Sequence, residues 1–201
     1  MVCAGCAQAA MKADQDWAVP PCVLLWLRLL GSSGHRSEKD VRDLVQNAKN
    51  ALSVRIHTPR ERELVGAIEW LSNGDLGETR HAVERCLVHA PADAMLLKFQ
   101  TDICLFGGFS HQMRDAIARS LPMMDCAKTP MFSFVLGLQA FALEESGDTL
   151  SAISIAKSAL ELNKKDMWAL HALTHALDQE GRTLEAVSSI PSFFLFVGDV
   201  F

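Results

Sequence analysis

The chain of 201 residues contains no tyrosine, so one common acid–base and hydrogen-bonding side chain is missing from any site it builds. The N-terminal apolar run, residues 22–30, is far shorter than the roughly 20 residues a membrane-spanning helix needs. It follows Asp14 and Asp16 with no basic stretch directly before it, so a signal peptide is not expected. Clustered basic residues are also lacking. Lys and Arg number 19 against 24 Asp and Glu, a net charge of −5, and they are scattered. Phosphate binding needs Lys and Arg gathered together, so nucleic acid is not the expected partner. Of six cysteines, only Cys3 and Cys6 have ligand-like C-x-x-C spacing, and no second pair follows at zinc-finger distance. No disulfide framework is visible, which points to a reducing, cytoplasmic setting. A phosphate-binding loop, a dinucleotide fingerprint and a G-x-S-x-G elbow are all absent, so those enzyme classes leave no signature.

What is present is helix. Hydrophobic residues make up 49% and charged ones 21%, enough to bury a sizeable core. No segment shows a sustained strand alternation. Residues 1–21 read as an N-terminal segment, helical or loose, broken at Pro20 and Pro21. Residues 22–30 suit a buried helix, ended by Gly31-Ser-Ser-Gly34. A second helix is expected over about 40–52, where Val41, Leu44, Val45 and Ala48 fall at spacings of three and four. After Thr58, a natural N-cap with Pro59 in the first turn, regular helical segments follow one another. Their spans are about 60–72, 76–89, 92–106, 111–120, 131–145, 149–162, 167–180 and 183–188. Cys86 and Cys104 fall within these patterns and read as small buried apolar residues.

The segments repeat. Gly74 to Gly108 is a step of 34 residues by subtraction, as is Gly147 to Gly181, and the middle step of 39 places a longer linker near 121–130. Ala67, Thr101, Ala140 and Thr174 keep the same phase. A 34-residue helix–turn–helix period is the tetratricopeptide signature. The expected fold is therefore all-α, an α-α superhelix of tetratricopeptide-like repeats over 22–187, with repeats at about 60–91, 94–126, 133–166 and 167–188. Each glycine would cap the first helix of its pair in the left-handed conformation. Residues 188–201 form an apolar tail with one charge, Asp199, and Pro191 is expected to interrupt the last helix. Such an end is unlike the polar cap of most solenoids and leaves an apolar patch exposed.

Several segments occur in an order that resembles one family. They are Pro59-Arg-Glu61, Ala94-Met-Leu-Leu-Lys-Phe99, Gln112-Met-Arg-Asp115, Val135-Leu-Gly137, Phe141-Ala-Leu-Glu-Glu145 and Asp166-Met-Trp-Ala-Leu-His-Ala-Leu-Thr-His175. The succession, over roughly 22–187, is similar to the tetratricopeptide repeat protein 38 family. The resemblance implies a helical, cytosolic protein and fixes fold rather than activity. It also implies a histidine where this chain has Leu64 and another where it has Thr101, while Asp102 matches. The family chain continues with further helical repeats beyond the point where this one turns apolar.

The candidate site lies on the first helices of the repeats. Trp168, His171, His175 and Asp178 are spaced by three, four and three, so they share one helical face. They occupy first-helix positions that line the inner groove of such arrays. Phe134, Phe141 and Glu144 stand at equivalent places one repeat earlier, with Lys98 and Asp102 in the repeat before that. His171 and His175 have i, i+4 chelating spacing, and with Asp178 they would form the ligand set if a metal bound. The metalloprotease motif needs a Glu directly after the first His, and Ala172 stands there. No cofactor and no catalytic residue are assigned. Arg114, Asp115 and Arg119 read as a solvated ion-pair face. The leading expectation is an interaction module that holds a peptide or partner helix in its groove. Two others stay open: a small-molecule or metal-dependent enzyme using His171 and His175, and an incomplete piece of a longer repeat protein.

Overall fold

A computed structural model of the chain describes residues 4–31, 37–126 and 128–197, and every described element is helical. The chain forms two compact units, Met1–Gly108 and Phe109–Phe201. The boundary falls inside the expected second repeat, after its first helix.

The first unit contains α1 (Ala4–Ala13), α2 (Val19–Leu29), α3 (Glu38–Val54), α4 (Pro59–Ser72), α5 (Leu76–His89) and α6 (Ala94–Gly107). Helix α2 begins earlier than its apolar run suggests. Pro20 and Pro21 do not break the chain; they occupy the first turn of α2, where a missing N–H costs no intrahelical bond. At α4, Thr58 and Glu61 form a reciprocal capping box with Pro59 beside them. Helices α4 and α5 pack as one pair, α5 packs on α6, and α2 lies against both α3 and α4.

The second unit contains α7 (Ser110–Ser120), a 3-10 turn (Leu121–Met123), α8 (Phe132–Glu145), α9 (Thr149–Leu162), α10 (Met167–Gln179) and α11 (Thr183–Val197). Helix α10 packs against α8, α9 and α11. Alanines make these approaches close: Ala140, Ala152, Ala156, Ala159, Ala169, Ala172 and Ala176 are all completely buried. The final helix corrects one expectation, because it runs through Pro191 to Val197. A proline removes one N–H donor and crowds one carbonyl, which bends a helix without having to end it. Residues 198–201 of the tail lie outside the described residues, as does Cys3. Leu184 and Val187 of α11 are largely exposed, so apolar surface is present on this helix.

The repeat phase survives in the backbone. Gly74, Gly108, Gly147 and Gly181 all have positive φ, between 72° and 86°, a region closed to most side chains. Asp75, Asp93, Asp148 and Asp166 cap the helices that follow, each accepting backbone N–H bonds through a carboxylate oxygen.

Candidate functional site

The sequence places nine residues on first-helix inner positions. In the first unit, two of them are engaged by the chain itself. The Lys98 ammonium bonds Asp102 Oδ1 one turn along α6. Asp102 Oδ2 accepts the indole N–H of Trp26 at 3.2 Å. Trp26 comes from α2, is 1% exposed, and stacks on Phe99 with centroids 4.0 Å apart and planes 10° apart. The inner positions of the preceding first helix, Leu64 and Ile68, are apolar and fully buried. The inner face of this unit is therefore filled by its own helix α2. The sequence singles out neither Trp26 nor Phe99, because a contact 76 residues apart leaves no local signal.

The equivalent face of the second unit carries different chemistry. Phe141 of α8 is buried, and the rings of Trp168 and His171 meet it edge-on at 4.9 and 5.5 Å. His171 and His175 lie 4.2 Å apart, ring to ring. His175 Nδ1 stands 3.7 Å from Glu144 Oε1, and Gln179 donates to that same oxygen at 2.6 Å. The chain Trp168, Phe141, His171, His175, Glu144 is thus continuous across α8 and α10. Trp168 and Phe134 are half-buried, and His171 and His175 are exposed. Gln179 is absent from the residues the sequence singles out, although it follows His175 by one helical turn and so shares its face.

The electrostatics follow from burial. Glu144 is 5% exposed, and desolvation first, then the neighbouring Glu145, raise its pKa against the opposing pull of His175 and Gln179. The His171 pKa is lowered, by desolvation and then by His175. Cys86 and Cys104 are buried thiols pushed up to about 12, and burial pushes Cys22 up as well. None of the three is poised as a thiolate nucleophile.

Asp178 departs from the group. Its Oδ1 accepts from the Thr183 hydroxyl at 2.9 Å, which turns it toward the α10–α11 junction. The His171, His175 and Asp178 triad therefore does not converge. Among the described residues, no three His, Cys, Asp or Glu side chains are arranged to hold a metal ion. Arg114 and Asp115 pair at 2.8 Å on the surface, as a solvated face would.

No family model matches the chain. Among solved structures, the chain is similar to that of a Podosopora anserina candidate kinesin light chain with nearly identical TPR-like repeats. The two superpose with a TM-score of 0.58 at 12% identity, over 94% of this chain and 95% of that one. The similarity establishes the fold: an all-α array of tetratricopeptide-like repeats.

Proposed function

We propose that the chain is a protein-interaction module whose partner, a peptide or a helix, docks on the inner face of α8 and α10. One observation carries this reading. The face is a ring cluster of Phe141, Trp168, His171 and His175 that is rooted in the core yet open to solvent at its imidazoles. Aromatic anchors of this kind, fixed below and exposed above, supply large contact area with little side-chain entropy to lose. Stacked repeats present an extended concave surface, and the first helices of tetratricopeptide arrays line it.

The test is selection of 12-residue peptides from a random displayed library on the full chain. Binding of the selected peptides is expected to fall tenfold or more on Trp168→Ala and on His175→Ala. It should be unchanged by Lys157→Ala on the exposed side of α9. Peptides that ignore both inner-face variants would refute the docking surface.

The resemblance to the tetratricopeptide repeat protein 38 family, and the cytoplasmic location it implies, belong to the same reading. Segment order supports the first, and the second is what that resemblance implies. Imaging of the tagged full chain in cells tests the location, and a membrane-bound or secreted pool would contradict it.

A further inference from the structure

The chain has seven histidines, and their surroundings separate them. His57 is buried, with Nε2 2.8 Å from the Ala51 carbonyl oxygen. His81 lies against the Arg80 guanidinium at 3.0 Å, which opposes a further cation there. Among the described residues, two imidazoles meet only on α10. His171 and His175 are one helical turn apart, with ring centroids 4.2 Å apart and planes tilted by 39°. Both residues are exposed.

The two rings are held differently, and both leave a nitrogen available. Neither ring nitrogen of His171 has a hydrogen-bond partner among the described residues. Its ring is set by the edge-on contact with Phe141 at 5.5 Å. His175 Nδ1 faces Glu144 Oε1 at 3.7 Å, so the ring's other nitrogen, Nε2, is the one left for a ligand. A carboxylate behind a ligating imidazole fixes the ring and its tautomer. Burial of Glu144 suits that role, since the carboxylate has to reach the ring and not the ion.

The wider surroundings suit a cation. Helices α8 and α10 carry Glu144, Glu145 and Asp178 and no Lys or Arg. Two Zn–N bonds of roughly 2.0–2.1 Å bridge donors up to about 4 Å apart, and rings this close reach that span by turning about χ2. Imidazole favours zinc, copper or nickel over magnesium and calcium. Asp178 is drawn off by Thr183, so the chain supplies two ligands and leaves the remaining positions to water or to a donor from a bound partner.

We infer that His171 and His175 form a two-imidazole site for a borderline divalent cation of the zinc type, open on the exposed side of α10, with Glu144 as the positioning residue behind His175. The site goes beyond the docking surface proposed above and does not need a peptide to be bound.

The test is calorimetric titration of zinc into the full chain in metal-free buffer. Cys3 and Cys6 have spacing that also takes zinc, so a Cys3→Ser, Cys6→Ser chain is titrated beside it. One zinc per chain is expected to remain in that cysteine variant. His171→Ala and His175→Ala should each weaken it tenfold or more, and magnesium should not replace it. Glu144→Gln should weaken it about tenfold, and should do nothing further once His175→Ala is present. A general loss of structure would not give that coupling, and circular dichroism melting checks that each variant is folded. Additive losses at Glu144 and His175 would overturn the positioning role. Zinc binding that ignores both histidine variants, that disappears with the cysteines, or that is absent overturns the site. The docking surface is tested apart from it, by the peptide selection run in EDTA, and does not fall with it.

Discussion

Asp93 and Asp166 hold the same place in two units, and only one of them has a cation. Each caps a first helix through Oδ1, accepting two backbone N–H bonds. In the first unit, Arg60 bonds the second oxygen of Asp93 at 2.7 Å through Nε. In the second unit, Ser133 stands at the register position of Arg60, and Asp166 Oδ2 is buried without a hydrogen-bond partner. It packs instead against the bare backbone of Gly137. The inner-face carboxylates repeat the contrast, with Asp102 bonded by Lys98 and Trp26, and Glu144 held by an amide and an imidazole. One unit satisfies its acids internally and closes its inner face. The other carries its acids at an energetic cost and leaves that face open. The docking face proposed above belongs to the unit whose acids are less completely satisfied.

The largest test removes the closing tryptophan. Trp26→Ala should cost about 3–5 kcal/mol, the usual loss for a fully buried Trp. Trp168→Ala removes a half-buried ring and should cost only about 1 kcal/mol. Urea denaturation measures both. Equal losses would mean that Trp168 is a core residue and that the two faces do not differ in kind.

Next in size is the contact between Gly137 and Asp166. A Cβ on Gly137 would lie 2.3 Å from Asp166 Oδ2 and 2.8 Å from its Cγ. Alanine gains about 1 kcal/mol of helix propensity over glycine, but a clash with a capped, buried carboxylate should win. Gly137→Ala is therefore expected to be net destabilising by about 1–3 kcal/mol. Adding Asp166→Ser keeps a cap and shortens the side chain, so the double variant should recover most of the loss. A double-mutant cycle with no coupling would show that the two residues do not meet as described.

Asp166 also makes a pH-dependent prediction. Burial pushes its pKa up to about 6 from an ordinary 3.8, against the two N–H bonds that lower it. A carboxyl with a raised folded-state pKa contributes stability below its unfolded pKa. That contribution is lost as pH rises through the folded one. The charge penalty, at most about 3 kcal/mol, is thus complete above pH 6. Ser133→Arg copies the Arg60 arrangement into the second unit. It should raise stability by about 1 kcal/mol at pH 7.5 and do little at pH 4, where Asp166 is neutral. Thermal melts at both pH values decide it, and an equal shift at both would remove the carboxylate from the explanation.

How much of this is legible in the sequence depends on the range of the interaction. The four positive-φ glycines, the Thr58 cap and the buried Cys86 and Cys104 are readable, because turn chemistry and helical phase are local. The His171–His175 neighbourhood is readable for the same reason, being one turn of one helix. The Trp26–Asp102 bond is not, since it joins helices far apart in sequence. Gly137 reads as one small residue among many; only the Asp166 carboxylate seated on it explains why a side chain is excluded. Pro191 misleads because a proline weakens a helix locally, while whether the helix continues is a sum over the whole segment. Asp178 shares the right face, yet Thr183 draws it away, and periodicity says nothing about which hydrogen bond a side chain takes.

The smallest effect concerns Lys98. Its pair with Asp102 is an i, i+4 contact with the lysine one-third exposed, the kind that stabilises by about 0.5 kcal/mol and is screened by salt. Lys98→Met keeps the aliphatic stem and removes the charge. Asp102 then keeps the Trp26 N–H and loses its cation, which brings it closer to the state of Glu144. A loss of about 0.5 kcal/mol in low salt that vanishes in about 0.5 M NaCl would show that the lysine acts as a charge, and that the indole and the stacked rings hold α2 in place. A larger, salt-independent loss would mean that the lysine stem is part of the packing. The contrast with the second unit would then rest on buried apolar contact more than on how each acid is satisfied.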